Sequence, residues 1–284
     1  MYYLFLVLSA LLFSAGFLFQ KFYEKDFGNG LKPSITMVFY QSVVVCVSMF
    51  VIGGFRMEVT GFSFLMAAIY AVNDFLLTWM SLKALKYANL SVFSMFMMLG
   101  SIVLPSAFGI LFYDEGITLI KIICYVLIFI SLYLSVEKGE SNKKAIFYYI
   151  AVFVGNGMCG ILSKIHQSNV EMQVSTESFL LQSGLIRLLI CAIILLYLSL
   201  RFRENSFSLK AAGLAVGGGI ANAVGNYFNL FALLAIPISV HSVMTTGTVL
   251  IFSAVIGLFV KEKPSRKGLI SLVLALAAAI AAAF

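Results

Sequence analysis

The sequence predicts an all-α polytopic membrane protein: ten transmembrane helices arranged as two inverted five-helix repeats around a central cavity. Three observations predict it. Hydrophobic residues make up 62% of the 284 residues and charged residues 11%, where a soluble domain carries about 25% charge. The apolar residues come in runs of roughly 20, the length that crosses a bilayer as a helix. The connections between runs are short, so about 26–28 residues per span and turn use up the chain and leave no soluble domain. So much apolar surface does not tolerate water, which excludes an ordinary soluble enzyme, a disordered chain and a secreted disulfide scaffold. A barrel would need strict alternation with a polar lumen face, and that pattern is absent.

The runs, bounded by charge or turn residues, justify ten spans in order. Tyr2 to Gln20 is apolar from its second residue. It lacks a basic leading region and a small-residue cleavage site, so it reads as a first span and not as a removable signal. Ser34 to Gly54, Phe62 to Leu82, Leu90 to Phe112 and Ile117 to Val136 complete the first half. Pro105, inside the fourth, is expected to kink it. Ala145 to Ser163, Phe179 to Leu200, Ala211 to Leu234, Ile238 to Val260 and Gly268 to Phe284 form the second half. Spans three and four nearly join through Lys83 to Asn89, and spans eight and nine through Ala235 to Pro237. Lys164 to Ser178, the longest polar connection, has room for an interfacial helix but not for a domain.

The polar stretch Glu137 to Lys144 divides the chain into residues 1–136 and 145–284, with 137–144 as connector. Five spans per half is an odd number, so the second half enters the membrane with the opposite orientation. The halves are weakly alike. At one constant offset Ala84-Leu85 falls on Ala232-Leu233, Ser91-Val92 on Ser239-Val240, Ser94 on Ser242 and Gly109 on Gly257.

The net charge of +7 comes from cations scattered over short loops. A nucleic-acid binder needs a contiguous basic face, so no nucleic-acid partner is expected. Most Lys and Arg lie in the loops after odd-numbered spans, while the others hold Arg56 and Lys164. The positive-inside rule then puts the odd loops in the cytoplasm and both termini outside. Cys46, Cys124, Cys159 and Cys191 all sit in apolar runs without metal or redox spacing. They read as small packing residues, and no metal or cofactor is expected.

Polar groups inside hydrocarbon are costly unless paired, so their positions carry information. Asn222, Asn226 and Asn229 follow the i, i+4, i+7 pattern of one helix face. Their counterparts in the first half are Asp74, Thr78 and Ser81, so the same stripe is polar in both halves. Two such stripes facing each other would line a wet midplane cavity. For a single Asn, hydrogen-bonded glue between helices serves equally well. Asp74, the one carboxylate deep in a span, is a candidate proton carrier, and an internal ion pair with Arg187 is the alternative. Arg187 could also take a substrate carboxylate. Ser239, His241, Ser242, Thr245, Thr246 and Thr248 make the start of the ninth span polar, and His241 and Thr245 are its binding candidates. Many of these hydroxyls would simply bond back to their own helix. Trp79, beside Thr78, and Met95, Met97 and Met98 are either cavity wall or packing.

No zinc-protease motif, phosphate-cradling loop or nucleophile elbow occurs, and His166 and His241 are the only histidines. An enzyme is not expected.

At this point the chain resembles a family. Gly225 to Pro237 (Gly-Asn-Tyr-Phe-Asn-Leu-Phe-Ala-Leu-Leu-Ala-Ile-Pro), then Ser239 to Val243 and Lys261-Glu262-Lys263, are similar to the eighth and ninth helices of the ten-helix drug/metabolite transporter superfamily, the EamA-like permeases. Ala84-Leu85-Lys86-Tyr87-Ala88-Asn89 is the first-half counterpart. The resemblance spans essentially the whole chain through loose motifs. It implies a basket of helices whose first, third, fourth, sixth, eighth and ninth members line the cavity. That puts Asp74, Asn222, Asn226 and His241 on lining helices, brings in Asn156 on the sixth, and leaves Arg187 on a peripheral one. It also implies cytoplasmic termini, against the cation count. The first span carries no acid, unlike the four-helix multidrug relatives.

The expected function is transport, by alternating access, of a small polar or amphipathic metabolite across the plasma (inner) membrane. The cargo class is an amino acid or similar compound, and the direction is export. Sugar or nucleotide-linked solute exchange is the closest rival, and a non-transporting structural subunit is the alternative of another class. The expected substrate-binding set is Asp74, Thr78, Asn156, Asn222, Asn226, His241 and Thr245. Partners are a small-molecule substrate and the lipid bilayer, and both a monomer and a homodimer fit.

Overall fold

A computed structural model describes residues 2–112, 116, 118–135, 143–202, 208–233, 238–262 and 266–281. Among them are ten helices and no strand: α1 (Tyr2–Phe27), α2 (Leu31–Ile52), α3 (Gly61–Tyr87), α4 (Leu90–Phe112), α5 (Leu119–Ser135), α6 (Lys143–Ser168), α7 (Thr176–Phe202), α8 (Leu209–Leu233), α9 (Ile238–Phe259) and α10 (Arg266–Ala281). Six are long and apolar enough to cross a membrane: α1, α2, α3, α4 and the 144–168 and 176–200 stretches of α6 and α7. α5 and α10 are shorter, at 17 and 16 residues.

Several helices outrun the apolar runs that predict them. α1 continues past Gln20 to Phe27, with Lys25 in its last turn, where a cation complements the helix dipole. Apolarity sets where a span can sit in a bilayer, whereas backbone hydrogen bonding sets where a helix stops. The near-continuous third and fourth spans are broken at Ala88 and Asn89. Ala88 is extended (φ −104, ψ 146), and the Asn89 side chain caps α4 by accepting from the Val92 N–H at 2.9 Å. The matching break between α8 and α9 lies outside the described residues, as do residues 136–142, most of the expected connector.

The expected room for an interfacial helix between α6 and α7 is not used. Residues 169–175 form a turn, closed by the Met172 and Gln173 N–H groups donating to Asn169 O and held by the 53–60 loop. The Glu58 carboxylate accepts from the Ser175 N–H at 2.8 Å, the Gln182 amide donates to Glu58 O at 2.7 Å, and Thr60 Oγ1 donates to Met172 O at 2.5 Å. The His166 ring lies against Phe179, centroids 4.2 Å apart, and its Nε2 is 2.9 Å from Ser63 Oγ.

Helices from the two halves interleave. α1 packs on α8 and α9, α2 on α7 and α8, α3 on α6 and α7, α4 on α6 and α9, and α5 on α10. Small residues set the closest approaches, as in membrane helix packing generally. On the α4–α6 seam, a Cβ at Gly100 would run into the Phe153 carbonyl oxygen, and one at Gly160 would meet the Pro105 ring at 2.7 Å. Across α5 and α10, Ser131 Oγ donates to Ser271 O at 2.8 Å and Ser271 Oγ to Ser131 O at 2.5 Å. An apolar cluster including Phe17, Leu85, Leu90, Phe93 and Tyr149 fills the bundle near the end of α3.

Candidate functional site

A cavity of about 520 Å³ lies inside the bundle, walled by α1, α2, α3, α4, α6, α7, α8 and α9. No described residue of α5 or α10 contributes. On α3 the lining residues are Tyr70, Asp74, Leu77, Thr78 and Ser81, a helical face read at steps of three and four. On α8 they are Gly219, Asn222, Ala223, Asn226 and Asn229. The two stripes, far apart in sequence, thus meet at one space.

The charged side chains on this wall are Asp74 and Arg187. Arg187 Nη1 ion-pairs with Asp74 Oδ2. Arg187 is 8% exposed, and its Nε has no protein partner. This corrects the expectation that α7 keeps Arg187 at the periphery. α7 packs on α2 and α3 and is itself part of the wall, contributing Leu180 as well as Arg187. The pair neutralises itself, so the described wall carries no net charge, and its other polar groups are mainly amides and hydroxyls set among apolar side chains.

Of the other expected site residues, Thr78, Asn156, Asn222, Asn226 and Thr245 all line the cavity. Asn156 is also glue: its Nδ2 donates to Met97 O on α4 at 2.7 Å. Thr245 Oγ1 donates to Asn229 Oδ1 at 3.2 Å, joining α9 to the α8 stripe. The His241 side chain lies outside the described residues. Asn73 is glue alone. It is absent from the wall, and its Nδ2 donates to Gly155 O at 2.9 Å and to Cys159 Sγ at 3.1 Å on α6. Trp79 is likewise off the wall, with Lys83 Nζ 4.6 Å from its ring centroid. Met97 and Met98 line the cavity, whereas Met95 packs toward α5 and α10. Ser94 bonds back to Ser91 O, as a hydroxyl in a helix commonly does.

Sequence reasoning missed Gln20, Gln41 and Tyr70, which also line the cavity. Gln20 marks the edge of an apolar run, but α1 runs on beyond it and keeps its amide inside the bundle. The available signal was chemical: an uncharged amide within an apolar helix carries the same cost in hydrocarbon as the Asn residues of α8.

The bundle is tied together at the end where α1 and α3 finish. Lys21 Nζ ion-pairs with Glu262 Oε1 at 2.6 Å and donates to Ala88 O at 2.6 Å. The other Glu262 oxygen accepts from the Leu90 N–H at the start of α4, 2.7 Å away. A carboxylate at a helix start is favoured by the dipole. This latch ties α1, the α3–α4 junction and the end of α9 together. The Glu58 and His166 contacts hold the opposite end of α3.

No family model and no curated protein matches the sequence. A solved crystal structure, described only as that of a protein, matches over 98% of this chain and 94% of its own, with a TM-score of 0.64 and 13% identity. At that identity the two chains share a fold.

Proposed function

We propose that this chain is a multi-pass transporter of the plasma (inner) membrane. It exports a small polar or amphipathic metabolite, an amino acid or similar compound, by alternating access. One observation carries the reading: the polar stripes of α3 and α8 line a single cavity in the middle of an otherwise apolar helical bundle. A scaffold subunit has no use for such a space. A large anionic solute such as a nucleotide-linked sugar would want uncompensated cations, whereas the guanidinium on this wall is paired with Asp74. The carboxylate and guanidinium can instead exchange partners with the ammonium and carboxylate of a zwitterion.

The packing supports two inverted halves. Exchanging α1–α5 for α6–α10 turns α1–α8 into α6–α3, α4–α6 into α9–α1 and α2–α8 into α7–α3. It leaves α2–α7, α4–α9 and α5–α10 unchanged, and all of these pairs are packed. A bundle with that interchange has two related ways to open. The Lys21–Glu262 latch then seals one side until the halves rock. The resemblance to EamA-like permeases, carried by Gly225 to Pro237 and Lys261 to Lys263, points the same way.

Asn222→Ala tests the site. In proteoliposomes loaded with a radiolabelled amino-acid mixture, efflux through this variant is expected to fall at least tenfold, with the melting temperature in detergent within a few degrees of the parent. Parent-like efflux removes Asn222 from the site, and no efflux through the parent itself defeats the transport reading.

A further inference from the structure

Outside the Asp74–Arg187 pair and the α8 stripe, three described cavity-lining side chains carry a buried polar atom without a protein partner. Gln20, Gln41 and Ser81 come from three different helices and are 5%, 9% and 0% exposed. Gln20 Oε1, Gln41 Nε2 and Ser81 Oγ are buried without a protein hydrogen-bond partner. Each belongs to a residue of the cavity wall. A Cβ at Gly218 would meet Phe19 Cβ at 3.2 Å, Gln41 Nε2 at 3.6 Å and Gly16 O at 3.8 Å. That places the Gln41 amide beside the turn of α1 that carries Gln20. Ser81 follows Thr78 along the lining face of α3, toward the Lys21 end. Buried polar atoms are almost always paired, and orphans on several residues of one cavity wall mark a place where something else supplies the partner.

We propose that Gln20, Gln41 and Ser81 form a hydrogen-bonding subsite that takes the neutral carboxamide end of the transported solute. This rests on the transport reading above. The chemistry of the three atoms selects the group. Gln20 Oε1 accepts, Gln41 Nε2 donates, and Ser81 Oγ does either. A carboxamide offers an N–H to the first and a carbonyl to the second. A carboxylate has no proton for Oε1, an ammonium has no lone pair for Nε2, and an alkyl end leaves all three unpaired. Sites built to hydrogen-bond a group reject analogues that lack it far more strongly than apolar pockets reject a missing methylene. The spacing suits a solute with two polar ends. Asp74 and Ser81 are separated by about 10 Å along α3 at the helical rise of 1.5 Å per residue. A zwitterionic head at Asp74 and Arg187 therefore leaves room for a short alkyl stem before the subsite.

The test compares L-glutamine, L-glutamate and L-norleucine, which share a head and differ at the far end. Efflux of each from proteoliposomes is measured for the parent, Gln20→Met and Gln41→Met. The parent is expected to move glutamine at least tenfold faster than either analogue, and each variant is expected to lose most of that ratio. Because methionine replaces an unpaired buried amide with an apolar chain of similar size, the solute-free variants are expected to melt at or above the parent's temperature. Equal rates for the three solutes in the parent, or a glutamine preference that survives in both variants, overturns the subsite and leaves transport standing. A lower melting temperature in both solute-free variants also overturns it, because the amides would then be holding the fold together. If the parent moves none of the three, the transport reading for this solute class and the subsite fall together.

Discussion

Asp74→Asn is expected to cut flux at least a hundredfold and to lower the melting temperature by several degrees, with the protein still monodisperse in detergent. The two effects have separate causes. Asn keeps the shape of Asp but cannot neutralise Arg187, whose guanidinium is 8% exposed and ion-paired to Asp74. Breaking a buried pair from one side costs about 3–5 kcal/mol, because the surviving charge is left without a partner. Asp74 itself is 23% exposed, so cavity water softens the loss and the lower figure is the better expectation. Removing both charges, in Asp74→Asn/Arg187→Gln, restores most of the stability and none of the flux. The contrast separates a structural ion pair from a working one: recovery of both quantities in the double variant would reduce the pair to a staple. If Asp74 also carries the proton that drives transport, the residual flux of Asp74→Asn becomes independent of pH while that of the parent does not. This is read by varying internal and external pH in the same vesicles.

Gly100→Ala is the second large effect, and it is steric. The added methyl carbon would run into the Phe153 carbonyl oxygen and sit 2.8 Å from its carbon and 2.9 Å from its Cα. All three are backbone atoms of α6, so no rotamer change relieves the contact and the helices must move apart. Overpacking costs about 1–3 kcal/mol where side chains can adjust, and more where they cannot. The same seam carries the Asn156–Met97 hydrogen bond of the cavity wall, so flux is expected to disappear along with stability. Gly213→Ala is the matched control. A Cβ there meets nothing within 4 Å, and Ala in place of Gly favours a helix by roughly 1 kcal/mol. It is expected to melt at or slightly above the parent's temperature. Equal behaviour of the two variants in thermal denaturation would mean that α4 and α6 are not as close as described.

How far the site was legible in the sequence follows from how each residue signals itself. Asp74, Thr78, Asn222 and Asn226 announce a face because polar residues at helical spacing stand out in an apolar run. All four line the one cavity. Gln20 ends its apolar run and looks like a boundary, whereas Gln41 lies inside the second run with no amide or acid at helical spacing to mark a face. Arg187 was judged by the rank of its helix, but where its charge lies depends on the reach of its side chain and on which helix lies opposite. Asn73 and Asn156 are the same residue type in similar surroundings. One is glue, while the other is both glue and wall, and nothing local distinguishes them.

Composition and run length were enough to dictate an all-helical chain with helices suited to a membrane, because hydrocarbon demands that every backbone group be satisfied within its own segment. The period of the polar residues was enough to say that α3 and α8 each gather polar residues on one face. Which faces meet was decided only in three dimensions. Lys21 finds Glu262, Asp74 finds Arg187 and Gly100 finds Phe153 through the order in which ten helices pack. That order is governed by side-chain shape summed over whole helix faces, a quantity no single stretch of sequence contains.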